Sequence, residues 1–207
     1  MKALILNSGM GRRMGVLASE HPKCMTEISS SETILSRQLR LLSEYGVTEA
    51  VITTGAFDDV LVAYCRSHEL PIHLTFVRNP DFRTTNYIYS IYCARESLRG
   101  DDVLYLHGDL VFEGDVLSRM LEADGTRVAV STTAPLPEKD FKAVLRDGRV
   151  AAIGVSFFTD AVAAQPLYRF RRADWDAWLA AIEAFCERGE TGCYAENALN
   201  EIASGLD

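Results

Sequence analysis

Apolar residues fall in short runs separated by amphipathic stretches along most of the chain. Lys2 to Leu6 is apolar and stops abruptly at Asn7-Ser8-Gly9, as a strand buried on both faces does. A glycine-rich loop, Gly9 to Gly15, follows. Ser31 to Tyr45 places Ile34, Leu35, Leu39, Leu41 and Leu42 at helical spacing, with Gly46 as a stop. Ala50–Thr54 reads as a strand, Asp58–His68 as a helix and Ile72–Val77 as a third strand. The spacing predicts helices over Asn86–Leu98 and Gly114–Ala123, and strands over Asp102–Leu106 and Arg127–Thr132. Beyond Thr132 the pattern changes. Phe141–Leu145 and Arg149–Ile153 flank Asp147-Gly148, the pattern of a β-hairpin. Pro166–Phe170 reads as one more strand, and Asp174–Arg188 and Tyr194–Ala203 as closing helices.

Alternating β and α elements predict an α/β fold: a mostly parallel central sheet flanked by helices, with the hairpin as a small C-terminal lobe. The 207 residues suit a single domain spanning 1–207, without repeats or a linker. The net charge of −8 argues against a nucleic-acid partner but allows a local basic site for a small phosphate. No run approaches the ~18–20 apolar residues that span a membrane, and no signal peptide is legible, so a cytoplasmic protein is expected. The five cysteines form no CxxC pair and have no His at metal-ligand spacing. Unpaired thiols in a reducing compartment are the expectation. A homo-oligomer is left open.

The loop carries the chemistry. A Walker A loop needs GxxxxGK[ST], which is absent. A dinucleotide fingerprint needs GxGxxG and an acidic residue ending the second strand. Here the loop, Gly9-Met10-Gly11-Arg12-Arg13-Met14-Gly15, is one residue longer, and the strand ends Thr53-Thr54-Gly55. Small residues let backbone N–H groups approach a polyphosphate. Two arginines can clamp terminal phosphates, and Lys23, in His21-Pro22-Lys23-Cys24-Met25, can act as a point charge. Together these residues resemble the nucleotidyltransferase superfamily signature LxAGxGxRMxxxxxxPKxL. Asn7-Ser8 stands where most members have two alanines. That variant, with Thr85-Asn86-Tyr87-Ile88-Tyr89-Ser90-Ile91-Tyr92 and Gly192-Cys193-Tyr194-Ala195-Glu196-Asn197, resembles CTP-dependent enzymes acting on phosphocholine, aminoalkylphosphonates and related head groups.

The resemblance implies a GT-A-like fold with a nucleotide half (about 1–110) and an acceptor half (about 111–207). It implies Mg2+ as cofactor, CTP as donor and a phosphorylated or phosphonate small molecule as acceptor. Arg13, Lys23 and Asp109 are the implied catalytic residues, with Arg12 assisting at the far phosphates. Asn7, Ser8, Gly9, Met10, Gly11 and Gly108 would approach the nucleotide. Leu104-Tyr105-Leu106-His107-Gly108-Asp109 is a strand ending at the sheet edge where ligands sit, and the matching family aspartate binds magnesium. His107 reads as a packed residue rather than a base. Thr54, Gly55, Asn86 and Ser90, at strand or helix ends, are candidates for reading the base. Lys142 resembles a family lysine facing the acceptor phosphate. Tyr168, Trp175, Trp178 and Tyr194 could cage a quaternary ammonium, although the tryptophan pair fits plain core. Glu196 could pair with an amine.

Family members carry a second metal carboxylate in a late Glu-Ile-Asp segment, which this chain lacks. Three readings stay open: Glu196 substitutes as a metal ligand, a C-terminal piece is missing, or the protein is a non-catalytic nucleotide-binding relative. The missing piece is favoured. A sugar-phosphate nucleotidyltransferase using another NTP is the alternative activity.

Overall fold

Four strands form the parallel half of the sheet: β1 (Lys2–Leu6), β2 (Glu49–Thr54), β3 (His73–Arg78) and β4 (Val103–His107). They lie in the order β3-β2-β1-β4 in the computed structural model, which describes residues 1–10, 21–68, 72–122 and 124–207. Alternate residues of these strands face opposite ways, and both faces are covered. Leu4, Val51, Val103 and Tyr105 pack against α3 (Tyr87–Leu98), α5 (Arg172–Glu187) and α6 (Ala195–Ile202). Ala3, Ile5, Ile52, Leu104 and Leu106 pack against α1 (Ile34–Glu44), α2 (Asp58–Arg66) and α4 (Gly114–Glu122). Continuous apolar runs such as Ala3-Leu4-Ile5 follow from that double burial.

The other half of the sheet is antiparallel and is organised by β8 (Ala161–Phe170). Along one edge β8 pairs with β4 through Leu167–Phe170 and with β6 (Lys142–Arg146) through Ala161–Ala163. Its opposite edge takes β5 (Arg127–Ser131). β6 and β7 (Arg149–Gly154) form the expected hairpin, with Asp147 at φ 51° and Gly148 at φ 76°, the left-handed pair that a tight two-residue turn requires. The hairpin is built onto the central sheet through β6 and β8. β8 begins five residues before Pro166, where Ala161–Gln165 offers little apolar signal.

Trp175 and Trp178 are core. Both are fully buried, and Trp178 stacks on Phe170 at 4.8 Å and meets Tyr105 edge-on at 5.5 Å. The cysteines are free thiols, and burial pushes Cys65 up to about 11. No helix among the described residues is long and apolar enough to cross a membrane.

Candidate active site

The chain leaves β1 toward β2 on one side, while β4 lies on the other, so the crevice beyond the carboxyl ends of β1 and β4 is a topological switch point. Leu6 and His107 end these two strands in register. A cleft of about 300 Å³ opens there, lined on the sheet side by Asn7, Ser8, Gly9, Lys23, His107 and Asp109.

The cleft floor is made by close backbone approach. Asn7 donates its N–H to the Thr53 carbonyl at 3.1 Å, and Gly108 donates to the Leu6 carbonyl at 3.0 Å. A Cβ on Gly108 would lie 1.8 Å from Asn7 Oδ1, so only glycine leaves room for the Asn7 side chain. Gly55 is constrained likewise, since its Cβ would lie 2.4 Å from the Ser8 carbonyl oxygen. Among the described residues, two polar atoms on this floor, Asn7 Nδ2 and Ser8 Oγ, are buried without a hydrogen-bond partner. Unsatisfied buried groups are rare and costly, and both residues line the cleft. Gly9 faces open space.

At the mouth, Lys23 Nζ lies 3.0 Å from Asp109 Oδ2. Lys23 opens a short 3-10 turn, Lys23–Met25, behind Pro22, and the buried Cys24 anchors that turn. The two charged side chains are 35% and 46% exposed. Such a pair is worth about 1 kcal/mol or less, so an arriving polyanion can rearrange it. His107 forms part of the wall. Its Nε2 is 2.8 Å from the Tyr105 hydroxyl, and the Tyr87 ring meets it edge-on at 4.9 Å. Burial pushes its pKa down to about 4; Asp109 opposes that shift and Lys23 adds to it.

The far wall comes from the segment after β3 and the start of α3. Asn79, almost fully buried, donates through Nδ2 to Thr85 Oγ1 at 3.1 Å and Ser90 Oγ at 3.0 Å, and its Oδ1 accepts from the Asp81 N–H. Asn86 caps α3, accepting from Tyr87 N–H at 2.8 Å, and donates from its backbone to Thr191. Asn79 and Phe82 line the cleft without having been singled out from the sequence; Thr85 lines it too, named only within its motif, and His107, read as a packed residue, forms part of its wall. Asn79-Pro80 directly follows a parallel strand, so the edge rule that selected Asp109 would also have selected Asn79.

Several expected site residues lie elsewhere. Thr54 is fully buried and donates to Asp58, while Gly55 is pressed on the Ser8 backbone, so neither reaches the cleft. Lys142 is fully buried, donates to the Pro137 carbonyl at 2.6 Å and sits 4.1 Å from the Phe158 ring centre. Tyr168 is a core residue. Tyr194 packs on Phe141 and Tyr87 rather than lining the cleft. Glu196 is wholly buried and accepts hydrogen bonds from Tyr87 on one oxygen and Tyr168 on the other, which removes it as a metal ligand at the sheet edge. Burial raises its pKa, and the two phenols restrain the rise. Met10 is the last residue described before the loop's remainder; Gly11, Arg12 and Arg13 lie outside the described residues.

No three His, Cys, Asp or Glu side chains among the described residues come together to hold a metal by themselves. One exposed carboxylate, Asp109, fits a hard cation that takes its remaining oxygen ligands from phosphates and water.

Residues 3–198 match the family model described as a MobA-like NTP transferase domain. The CMP-5'-(3-aminopropyl)phosphonate synthase of Streptomyces rubellomurinus is 35% identical over 136 residues, covering 66% of this chain and 21% of that protein. The CTP:phosphoglutamine cytidylyltransferase of Campylobacter jejuni is 26% identical over 128 residues, covering 59% of this chain and 49% of that protein. The chain thus spans about a fifth and about half of these two relatives. Among solved structures, the inositol-1-phosphate CTP transferase of T. maritima superposes with a TM-score of 0.79 at 18% identity, covering 99% of this chain and 81% of that one.

Proposed function

The chain belongs to the MobA-like NTP transferase domain family, and on that premise we propose that it is a cytidylyltransferase. It moves CMP from CTP onto a phosphate or phosphonate small molecule. The acceptor oxygen bonds to the α-phosphorus, the bond to the bridging oxygen breaks, and pyrophosphate leaves. The acceptor oxygen is already anionic near neutral pH, since a second phosphate pKa lies at about 6, so no strong base is needed. What the protein supplies is position and charge compensation. Lys23 stabilises the triphosphate, with Arg13 from the glycine loop. Asp109 would hold a magnesium ion, which supplies charge neutralisation between the phosphates.

One observation carries the choice of CTP: the two unpartnered donors on the cleft floor, Asn7 Nδ2 and Ser8 Oγ. Cytosine presents adjacent acceptors, O2 and N3, which take both donors. Uracil carries N–H at N3, which the Ser8 hydroxyl can turn to accept but the Asn7 Nδ2 group, a donor only, cannot, so the discrimination falls on Asn7. The names of both relatives, which carry CMP or CTP with a phosphonate or phosphorylated compound, support the same reading. Titration calorimetry with the four NTPs and magnesium tests it. CTP is expected to bind tightest; tighter UTP, GTP or ATP would assign the protein to another nucleotide.

A further inference from the structure

The cleft wall beyond β3 has a fixed hydrogen-bond polarity, and Asn79 sets it. Its backbone N–H bonds to the Thr54 carbonyl at 2.9 Å, which extends the pairing of β3 with β2 one residue past Arg78. Its side-chain Oδ1 accepts from the Asp81 N–H at 2.8 Å, and a backbone N–H can only donate. That bond fixes which end of the amide is oxygen, so Nδ2 is the group facing Thr85 Oγ1 at 3.1 Å and Ser90 Oγ at 3.0 Å. Nδ2 offers two protons and no lone pair, so both hydroxyl oxygens accept.

The two hydroxyls then differ. Thr85 passes its own proton to the Asp81 carbonyl at 2.8 Å. Ser90 accepts from Asn79 and, among the described residues, has no acceptor for its proton. Ser90 is 1% exposed and lines the cleft, so bulk water does not serve that proton, and a buried donor left unpaired is costly. The strand order β3-β2-β1-β4 puts Asn79 and its Ser90 partner on the opposite side of the β1 floor from Asp109, which follows β4. With the phosphates at Lys23 and Asp109, the base lies toward Ser90. We infer that Asn79 is a positioning residue that aims the Ser90 hydroxyl, as a hydrogen-bond donor, at an acceptor atom of the nucleotide base. Asn79 spends both amide protons within the wall; Ser90 makes the contact. The choice of the base as recipient rests on the nucleotidyl-transfer reading, whereas the polarity of the wall does not.

Nitrogen-15 NMR of the Asn79 side-chain amide, assigned by its loss in Asn79→Asp, reads that polarity in the free protein. Its protons should be protected from solvent exchange, and Ser90→Ala should shift the signal and speed the exchange. An amide untouched by Ser90→Ala, or one exchanging as fast as a surface asparagine, overturns the polarity whatever the protein does with CTP.

The second arm is calorimetry with magnesium and whichever NTP the wild type binds tightest. Ser90→Ala should weaken that binding about 2–13-fold, the range of one lost neutral hydrogen bond, and leave the binding of inorganic tripolyphosphate unchanged. Asn79→Asp keeps the bond from Asp81 but replaces the donor with an acceptor, so Ser90 must donate back and turn a lone pair to the cleft. In that background the effect of Ser90→Ala on nucleotide binding should vanish. Should Asn79→Asp melt below the assay temperature, Asn79→Ala, which frees the hydroxyl to rotate, should still shrink the effect. An effect as large as in the wild-type background shows that Asn79 does not aim Ser90. An equal loss with tripolyphosphate moves the contact to the phosphates, and wild-type nucleotide binding in Ser90→Ala removes it; each overturns the inference. A preference for another NTP with the coupling intact would overturn the choice of CTP alone.

Discussion

Gly108→Ala is a sharp probe of the cleft floor, because its new methyl would lie 1.8 Å from Asn7 Oδ1 and 2.5 Å from Asn7 Cγ. Neither distance is tolerable, so the Asn7 amide must swing away or the two strand ends must part. Overpacking of this kind costs roughly 1–3 kcal/mol. At roughly 2–4 °C per kcal/mol for a chain of this size, Tm should fall by about 2–12 °C. On the proposed base-reading role, the displaced amide also loses its contact with the base. Losing one neutral hydrogen bond costs about 0.5–1.5 kcal/mol, or about 2–13-fold in Kd for CTP. Thermal melts and CTP calorimetry on Gly108→Ala, Asn7→Ala and the double variant separate the two effects. Removing Asn7 relieves the clash, so the double variant should regain the stability of Asn7→Ala while still binding CTP weakly. A Gly108→Ala protein as stable as wild type, or a double variant as unstable as Gly108→Ala, would refute the packing argument.

Lys23→Ala should lower kcat/KM by roughly 10²-fold, as for other lost electrostatic stabilisers, with the fold intact by circular dichroism. Asp109→Asn should cause a comparable loss and raise the magnesium concentration needed for half-maximal rate; a rate with unchanged magnesium dependence would remove Asp109 from the metal. Asn7→Ala should narrow the preference for CTP over UTP, because the Asn7 Nδ2 group can only donate whereas a hydroxyl can also accept, and equal preference in variant and wild type would count against the base-reading role. Glu196 gives a pH signature. Burial holds its folded pKa above the ordinary 4.5, so as pH rises the unfolded chain loses this proton first and the folded state loses stability. Urea unfolding should therefore show Glu196→Gln gaining on wild type as pH increases above about 4.5; a difference constant with pH would contradict the shift.

Much of the fold is legible in the sequence because double burial writes itself as short apolar runs, and β1 to β4 are of that kind. Lys23 and Asp109, 86 residues apart, are legible as a pair only through strand-edge logic and the family likeness, and they lie 3.0 Å from each other. What escapes the pattern depends on long-range packing. Glu196 looks like an exposed helix residue near an acidic stretch, yet two tyrosines from α3 and β8 enclose it. Lys142 looks like a free cation, yet the carbonyls of its preceding loop hold it. The β6–β7 hairpin is legible at Asp147-Gly148, but the first half of β8 is hidden, since the small residues of Ala161–Gln165 carry little periodicity and their strand is defined by partners on both edges.

The central claim is nucleotidyl transfer from CTP. Its most direct test is pyrophosphate release by the purified chain with magnesium, with each of the four NTPs crossed against 2-aminoethylphosphonate, phosphocholine and a sugar 1-phosphate. The account predicts release with CTP and a phosphonate or phosphate head-group acceptor, abolished by Lys23→Ala. Release only with another NTP and the sugar phosphate, or tight CTP binding with no release from any pair, would contradict it.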